Sequence, residues 1–391
     1  MDLYDKGTKA QRYKARRSFV PYASLCLCLI FLVGCGSSSG DSFILPTLMA
    51  TAVITTPNSP QQVNALLPVT YTPISSAPNQ ESAATAVPLN TPLPVATATF
   101  GPSPTYDTYA GWTIADLQKR DPQVGYLQTH DVLTTGPNYT RHLISYPSGD
   151  LTIYGFMNTP PSAEPLPIVL VLHGFVEPDE YEVEAYTMPY ADELAKDGFL
   201  VIHPNYRNYP PSDSGDNLFR AGYAIDVLNL IDIIKAQARQ PGPLQNADPN
   251  RIYLFGHSMG GGIALRVLTT SQDVNAAALY GSMSGDEQRN FEKIIVWSKG
   301  TSGTAELATT PEDLQRISPS YHLENITAPI SIHHGTDDGV VPPEWSYQLC
   351  EQLRELGKEI SCYRYSGEPH NFTSAGRKKL IDRVSAFFGE G

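Results

Sequence analysis

The sequence is short of basic residues and of cysteine. Its 391 residues hold 27 lysines and arginines against 40 aspartates and glutamates, which leaves a net charge of −13. Nucleic-acid binding relies on clustered Lys and Arg that neutralise phosphates, so this balance argues against a nucleic-acid partner. The five cysteines and nine histidines form no group with the spacing of metal ligands, and no dinucleotide-binding fingerprint is present. We therefore expect neither a metal nor another cofactor.

One apolar run near the start of the chain has the properties of a targeting signal. A basic segment ends at Arg17 and leads into an apolar run over residues 19–33, the layout of a secretory signal peptide. A membrane span needs about 20 apolar residues, and this run is shorter. It ends in Leu-Val-Gly-Cys35, which resembles the lipobox of bacterial lipoproteins. That resemblance implies a signal peptide over residues 1–34, lipid attachment at Cys35 and an extracytoplasmic, membrane-anchored protein. The alternative is an uncleaved N-terminal anchor.

Residues 35–106 have the composition of a tether. Proline, threonine, serine and alanine dominate, charge is nearly absent, and neither helical nor strand periodicity is present. Such a segment cannot bury enough apolar surface to offset the entropy of ordering it. We expect a disordered linker here and a single folded domain over residues 107–391.

The folded part alternates between strand-like and helix-like segments. Residues 167–172 form a continuous apolar run, which is typical of a strand buried on both faces. Further strands are predicted at 139–145, 151–157, 199–203, 276–280, 330–334 and 360–365, and helices at 112–119, 190–196, 224–238, 344–356 and 376–388. This alternation predicts an α/β fold with a mostly parallel, doubly wound sheet and helices on both faces. Active sites of such sheets lie at the carboxyl ends of the strands.

The most informative stretch is Gly256-His257-Ser258-Met259-Gly260. An apolar run precedes it and a helix-compatible pattern follows, so the sequence predicts a strand, an abrupt turn and a helix. This is the context of a nucleophile elbow, in which Ser258 stands exposed at the helix N-terminus. The alternative is a chance Gly-x-Ser-x-Gly in a glycine-rich loop. His257 is expected to be a packing side chain.

A nucleophilic serine needs a histidine base and a carboxylate that orients it. Asp337 and Asp338 follow a predicted strand, and His370 is the one histidine beyond them in the chain. Order and position indicate His370 as the base, with one aspartate accepting from it and the other capping the turn. The residues alone leave the choice between the aspartates open.

An oxyanion hole needs two backbone N–H groups aimed at the developing charge. Met259, after the nucleophile, is expected to supply one, and Phe175, after the apolar strand, the other. Residues 282–317 are long enough for a small cap, with Phe291 and Trp297 as candidates for its apolar wall, although such residues more often serve packing.

Cys350 and Cys362 fall on a predicted helix and on the strand that follows it. An exported protein can keep a disulfide. A Cys350–Cys362 bridge and two buried free thiols both remain consistent with the sequence.

Taken together, several motifs resemble the catalytic domain of the prolyl oligopeptidase family of serine peptidases. They are Asp248-Pro249-Asn250-Arg251-Ile252 leading into the elbow, Pro204-Asn205-Tyr206-Arg207, Ser318-Pro319, His334-Gly335 and Tyr365-x-Gly367-x-x-His370-x-Phe372. Related dienelactone-hydrolase-like esterases share much of this pattern, which covers about residues 130–391. The resemblance implies an α/β-hydrolase fold and a Ser258, Asp338 and His370 triad, because the family's acid stands three residues after the Gly of His-Gly.

The chain departs from that family in two places. Family members carry a β-propeller upstream, where this chain has the expected tether. Several peptidases also place a Tyr before the oxyanion-hole loop, where this chain has His173-Gly174-Phe175, a form common in esterases. The expected activity is hydrolysis of a small ester or peptide through an acyl-enzyme, without a cofactor. The alternatives are a carboxylesterase without peptidase activity and a non-catalytic binding module. Oligomeric state is not indicated by the sequence.

Overall fold

Residues 107–389 are described by a computed structural model of the chain. The predicted signal peptide, the lipid-attachment residue Cys35 and the linker lie outside the described residues. The strands of the described part are β1 Gln128–Thr135, β2 Thr140–Ser148, β3 Leu151–Thr159, β4 Leu166–Leu172, β5 Leu200–Pro204, β6 Ala247–His257, β7 Ala276–Tyr280, β8 Ile330–Gly335 and β9 Ile360–Tyr365. The helices are α1 Ile114–Gln118, α2 Met188–Lys196, α3 Ala221–Gln237, α4 Met259–Thr270, α5 Glu287–Trp297, α6 Thr304–Leu307, α7 Pro311–Ile317, α8 Pro343–Glu355 and α9 Ser374–Gly389.

These strands form one sheet in the order β1-β2-β3-β5-β4-β6-β7-β8-β9. The first three strands are an antiparallel meander, β3 pairs antiparallel with β5, and every pairing from β5 to β9 is parallel. The expectation of a mostly parallel, doubly wound sheet is confirmed. Parallel pairing brings the carboxyl ends of β4, β6, β8 and β9 to one edge, where the loops that follow them meet.

Helices cover both faces of the sheet because its central strands are apolar on both sides. In β4, Leu170 and Leu172 face the core that includes α3 and α4, whereas Val169 and Val171 face the core that includes α2 and α9. All residues of β5, β7 and β8 are buried. Continuous apolar runs are thus explained by burial on two faces.

Strand β1 is absent from the sequence-based prediction. Its residues are mainly polar and mostly exposed, and register shifts interrupt its pairing with β2. An edge strand of this kind shows neither an apolar run nor regular alternation, so composition does not reveal it.

The segment between β7 and β8 forms a cap of three helices, α5 to α7. Phe219, before α3, packs with Phe291, Leu314 and Ile317 of the cap in a small separate apolar cluster. The cap therefore has a small core of its own, and Ile294 of α5 also packs against the main core of the sheet. Within residues 107–389, no helix combines the length and apolar character that a membrane crossing requires.

Candidate active site

Ser258 is the single residue between the end of β6 and the start of α4. Its φ of 56° and ψ of −118° lie in a region that residues with a Cβ rarely adopt. A Cβ on Gly256 would lie 2.5 Å from the Gly260 carbonyl oxygen, and a Cβ on Gly260 would lie 2.0 Å from the Leu172 carbonyl oxygen. The backbones of the strand, the turn and the helix therefore lie too close together for a side chain at either glycine, as a nucleophile elbow requires.

The candidate base and acid meet in the loops that follow β9 and β8. His370 Nδ1 lies 2.7 Å from Asp338 Oδ2, and both side chains are buried. The other carboxylate oxygen of Asp338 accepts hydrogen bonds of 2.8 Å from the backbone N–H groups of Val340 and Val341. Asp337 is exposed. Asp338 both faces His370 and caps the turn, so the expected division of these roles between two aspartates is wrong.

A second histidine, His334 at the end of β8, also contacts the acid. Its Nε2 lies 3.0 Å from Asp338 Oδ2 and 3.2 Å from the Val341 carbonyl oxygen, and its Nδ1 lies 2.7 Å from the Ser346 hydroxyl. Two acceptors around Nε2 require that nitrogen to carry the proton, so His334 donates to the carboxylate. Burial alone would raise the pKa of Asp338, but hydrogen bonds from His334 and His370 outweigh it and hold that pKa below its usual range.

The backbone of His370 is fixed by Tyr280 of β7. The Tyr280 hydroxyl donates to the His370 carbonyl oxygen at 2.6 Å and accepts from the Phe372 N–H at 2.7 Å. His257 stacks on Tyr280 with ring centroids 4.3 Å apart, and burial lowers the pKa of His257 well below its ordinary value. His257 is therefore a neutral packing side chain under the base.

Ser258 and His370 open onto one cavity of about 830 Å³. Phe175, Met259, Phe291 and Trp297, each singled out from the sequence, line it as well. In the described part of the chain, the Ser258 hydroxyl makes no hydrogen bond to His370. Catalytic hydrogen bonds of ligand-free enzymes often tighten only when substrate binds.

The loop after β4 lies directly against the elbow. A Cβ on Gly174 would lie 3.0 Å from Ser258 Cβ and 2.9 Å from the Tyr186 hydroxyl. The backbone N–H groups of Phe175 and Met259 donate to no acceptor among the described residues. Both amides are thus available to a ligand in the cavity.

Tyr186 and His334 were not identified from the sequence. Tyr186 has a φ of 53° and lines the cavity, but it lies in an irregular loop whose path no periodicity predicts. His334 belongs to the His334-Gly335 motif, but that pattern does not indicate a contact with the acid. The contact is local, since His334 stands four residues before Asp338.

Cys350 of α8 and Cys362 of β9 are joined by a disulfide across 12 residues. The bridge ties the helix that carries Ser346 to the neighbouring edge of the sheet. Among residues 107–389, no cluster of three His, Cys, Asp or Glu side chains could hold a metal ion.

The curated relatives of this chain include both a peptidase and an esterase. The chain is 24% identical over 201 residues to the uncharacterized peptidase YtmA of Bacillus subtilis, covering 49% of this chain and 73% of YtmA. It is 26% identical over 234 residues to the esterase YjfP of Escherichia coli, covering 57% of this chain and 88% of YjfP.

The solved structures show the fold. Acetyl xylan esterase from Paenibacillus sp. R4 matches with a TM-score of 0.53 and 15% identity, over 73% of this chain and 96% of that chain. This chain spans 40% to 50% of the length of four solved peptidase chains that it matches.

A family model decides the assignment. The model of the prolyl oligopeptidase family matches residues 190–390, about half of the chain. The match includes the elbow and the loops that carry Asp338 and His370. The chain therefore belongs to the prolyl oligopeptidase family and is a serine hydrolase.

Proposed function

We propose that the protein is an esterase in which Ser258, His370 and Asp338 form the catalytic triad. The observation that carries the proposal is the pairing of His370 with Asp338 at 2.7 Å on the cavity that Ser258 lines. Ser258 Oγ attacks the ester carbonyl while His370 Nε2 takes its proton. The Asp338 carboxylate accepts from Nδ1 and stabilises the imidazolium that forms.

The oxyanion of the tetrahedral intermediate accepts hydrogen bonds from the Phe175 and Met259 amides. His370 then gives its proton to the leaving alcohol, and an acyl-enzyme remains. Water attacks the acyl group with His370 again acting as base, and Ser258 is regenerated. The acid product leaves, and Ser258, His370, Asp338 and the two backbone amides are the groups of the chain that take part.

Two observations support an ester over a peptide. A cavity of about 830 Å³ suits a small molecule better than an extended chain. The chain also covers 88% of the esterase YjfP but 73% of the peptidase YtmA. Peptidase activity is the second candidate, which the similarity to YtmA favours.

A paired assay separates the two candidates. Short p-nitrophenyl esters and aminoacyl p-nitroanilides are offered to the protein and to its Ser258→Ala variant. We expect Ser258-dependent turnover of the esters and little or none of the anilides. Turnover of the anilides that Ser258→Ala abolishes would assign the protein as a peptidase.

We further propose that the protein is a lipoprotein anchored outside the cytoplasm through Cys35. Support comes from the apolar run over residues 19–33 and the Leu-Val-Gly-Cys35 ending. Expression with an alkyne-labelled fatty acid should label the protein, and Cys35→Ser should abolish the label. Membrane retention of the unmodified protein without the label would favour the uncleaved anchor.

A further inference from the structure

A strained turn before α3 brings an arginine to the cavity wall. Phe219 and Arg220 are consecutive residues with positive φ, 51° and 60°. Such backbone persists in non-glycine residues only where the surroundings hold it, and it recurs at ligand sites. Arg266, whose side chain is buried, donates to the carbonyl oxygens of Phe219 at 3.1 Å and of Ile317 at 2.6 Å. The turn is thus held against the cap.

Next to the cavity, two arginines pair with a single glutamate. Glu287 is buried, and its two carboxylate oxygens pair with different arginines, Arg266 and Arg220. Asn290 also donates to Glu287, at 3.1 Å, but it carries no charge. Two guanidinium groups therefore share one carboxylate, which leaves an excess positive charge next to the cavity.

Arg220 is the arginine with unused hydrogen-bonding capacity. Its side chain is 12% exposed and lines the same cavity as Ser258. Its guanidinium carbon lies 5.0 Å from the centre of the Phe291 ring. Nη1 is buried and has no hydrogen-bond partner among residues 107–389. A buried charged donor without an acceptor is unfavourable, so an acceptor on a ligand would relieve it.

Three other charged side chains line the cavity. Lys299 and Glu177 are exposed, and Glu306 is half-buried. Solvent weakens the pull of the exposed pair on a ligand. Solvent therefore screens the charge of Arg220 less than it screens the exposed charges, and Arg220 acts more strongly on a ligand inside the cavity.

We propose that Arg220 determines specificity by binding a carboxylate that the substrate carries away from its scissile ester. The carboxylate accepts from Nη1, and the apolar part of the substrate lies against Met283, Ile294 and Trp297. Because Nη1 is buried, the cap side chains over it must move apart as the substrate enters. The inference rests on the proposed function, since the same cavity holds both groups.

Pairs of esters that differ only in one charge test this inference. Mono-p-nitrophenyl adipate is compared with its methyl ester, and a matched pair carries the carboxylate on the alcohol side. In at least one pair we expect kcat/KM to favour the acidic member, by about 10- to 100-fold, the size of a buried charge-assisted hydrogen bond. Equal values within both pairs would overturn the inference while leaving the esterase proposal intact.

Substitutions of Arg220 test whether this residue causes the preference for the acidic ester. Arg220→Gln should remove the preference, and Arg220→Lys should keep part of it, because lysine retains the charge without the planar fork. Arg316→Gln removes one exposed positive charge that does not line the cavity, and it should leave the preference unchanged. An Arg220→Gln protein that is folded and still prefers the acidic ester would contradict the assignment.

Binding without turnover separates the two proposals. Adipate should raise the melting temperature of the unmodified protein more than adipamide does, and Arg220→Gln should lose the difference. This result alongside inactivity on all esters would support the carboxylate site and contradict the esterase proposal. Equal shifts with both compounds would overturn the carboxylate site.

Discussion

At the scale of single residues, the acid Asp338 accepts more hydrogen bonds than the sequence predicts. Asp338 accepts from two backbone amides, from His334 and from His370. These bonds stabilise its ionised form and fix the direction in which it faces the base. Order along the chain predicts that an aspartate and His370 approach each other. It does not predict the contact of His334 with the acid, although the two residues are only four apart, because the sequence does not show how the turn directs their side chains.

Replacing each aspartate in turn tests which one is the acid. Asp338→Asn should lower kcat by about 10³-fold or more, because an amide no longer fixes the tautomer of His370. Asp337 is exposed, so Asp337→Asn should change kcat by less than about twofold. The comparison is made on one neutral ester with both variants shown to be folded. Similar losses in both would disprove the assignment of Asp338.

At the scale of elements, the elbow was predictable because its chemistry is local. The sequence shows the glycines at 256 and 260 and the apolar strand before Ser258. The close approach of backbones in the elbow explains why both positions are glycine. The cap was predictable only in its bounds. Whether Phe291 and Trp297 pack or line a cavity depends on how α5 sits over the sheet, which no local pattern encodes.

Two glycines of α4 provide a matched pair of substitutions. A Cβ at Gly260 would lie 2.0 Å from the Leu172 carbonyl oxygen, whereas one at Gly262 finds its nearest neighbour at 3.5 Å, Cβ of Met283. Gly260→Ala should destabilise the protein by more than about 3 kcal/mol, because α4 and β4 must separate. Gly262→Ala should stabilise it by about 0.5 to 1 kcal/mol, since alanine favours a helix. Urea unfolding measures both, and equal effects would refute the packing argument.

At the scale of the whole molecule, the parallel sheet buries several histidines. Burial lowers the pKa of His173 to about 4 and that of His333 to about 3, and it holds those of His203 and His257 well below the ordinary value. The mostly parallel sheet was predictable because buried strands alternate with helices. The number of neutral histidines was not, since burial follows from tertiary packing.

These histidines predict a loss of stability in acid. Below about pH 6.5 the unfolded chain protonates them while the folded chain does not, so unfolding takes up protons. Above that pH the neutral histidines do not lower the free energy of unfolding. Below it, the free energy of unfolding falls as the pH drops toward about 4. Each histidine contributes up to about 1.4 kcal/mol per pH unit over this window. Urea midpoints measured across the window should fall steadily, and a flat profile would contradict the buried, neutral state.

Hydrolysis by this protein requires that the fold activates Ser258 as a nucleophile. Fluorophosphonate labelling of the purified protein, followed by peptide mapping, tests it most directly because the reagent reacts with activated serines whatever their substrate. We expect one label, on Ser258, lost in Ser258→Ala and strongly reduced in His370→Ala. A folded protein that takes no label, or takes it on another residue, would show that Ser258 is not the activated nucleophile.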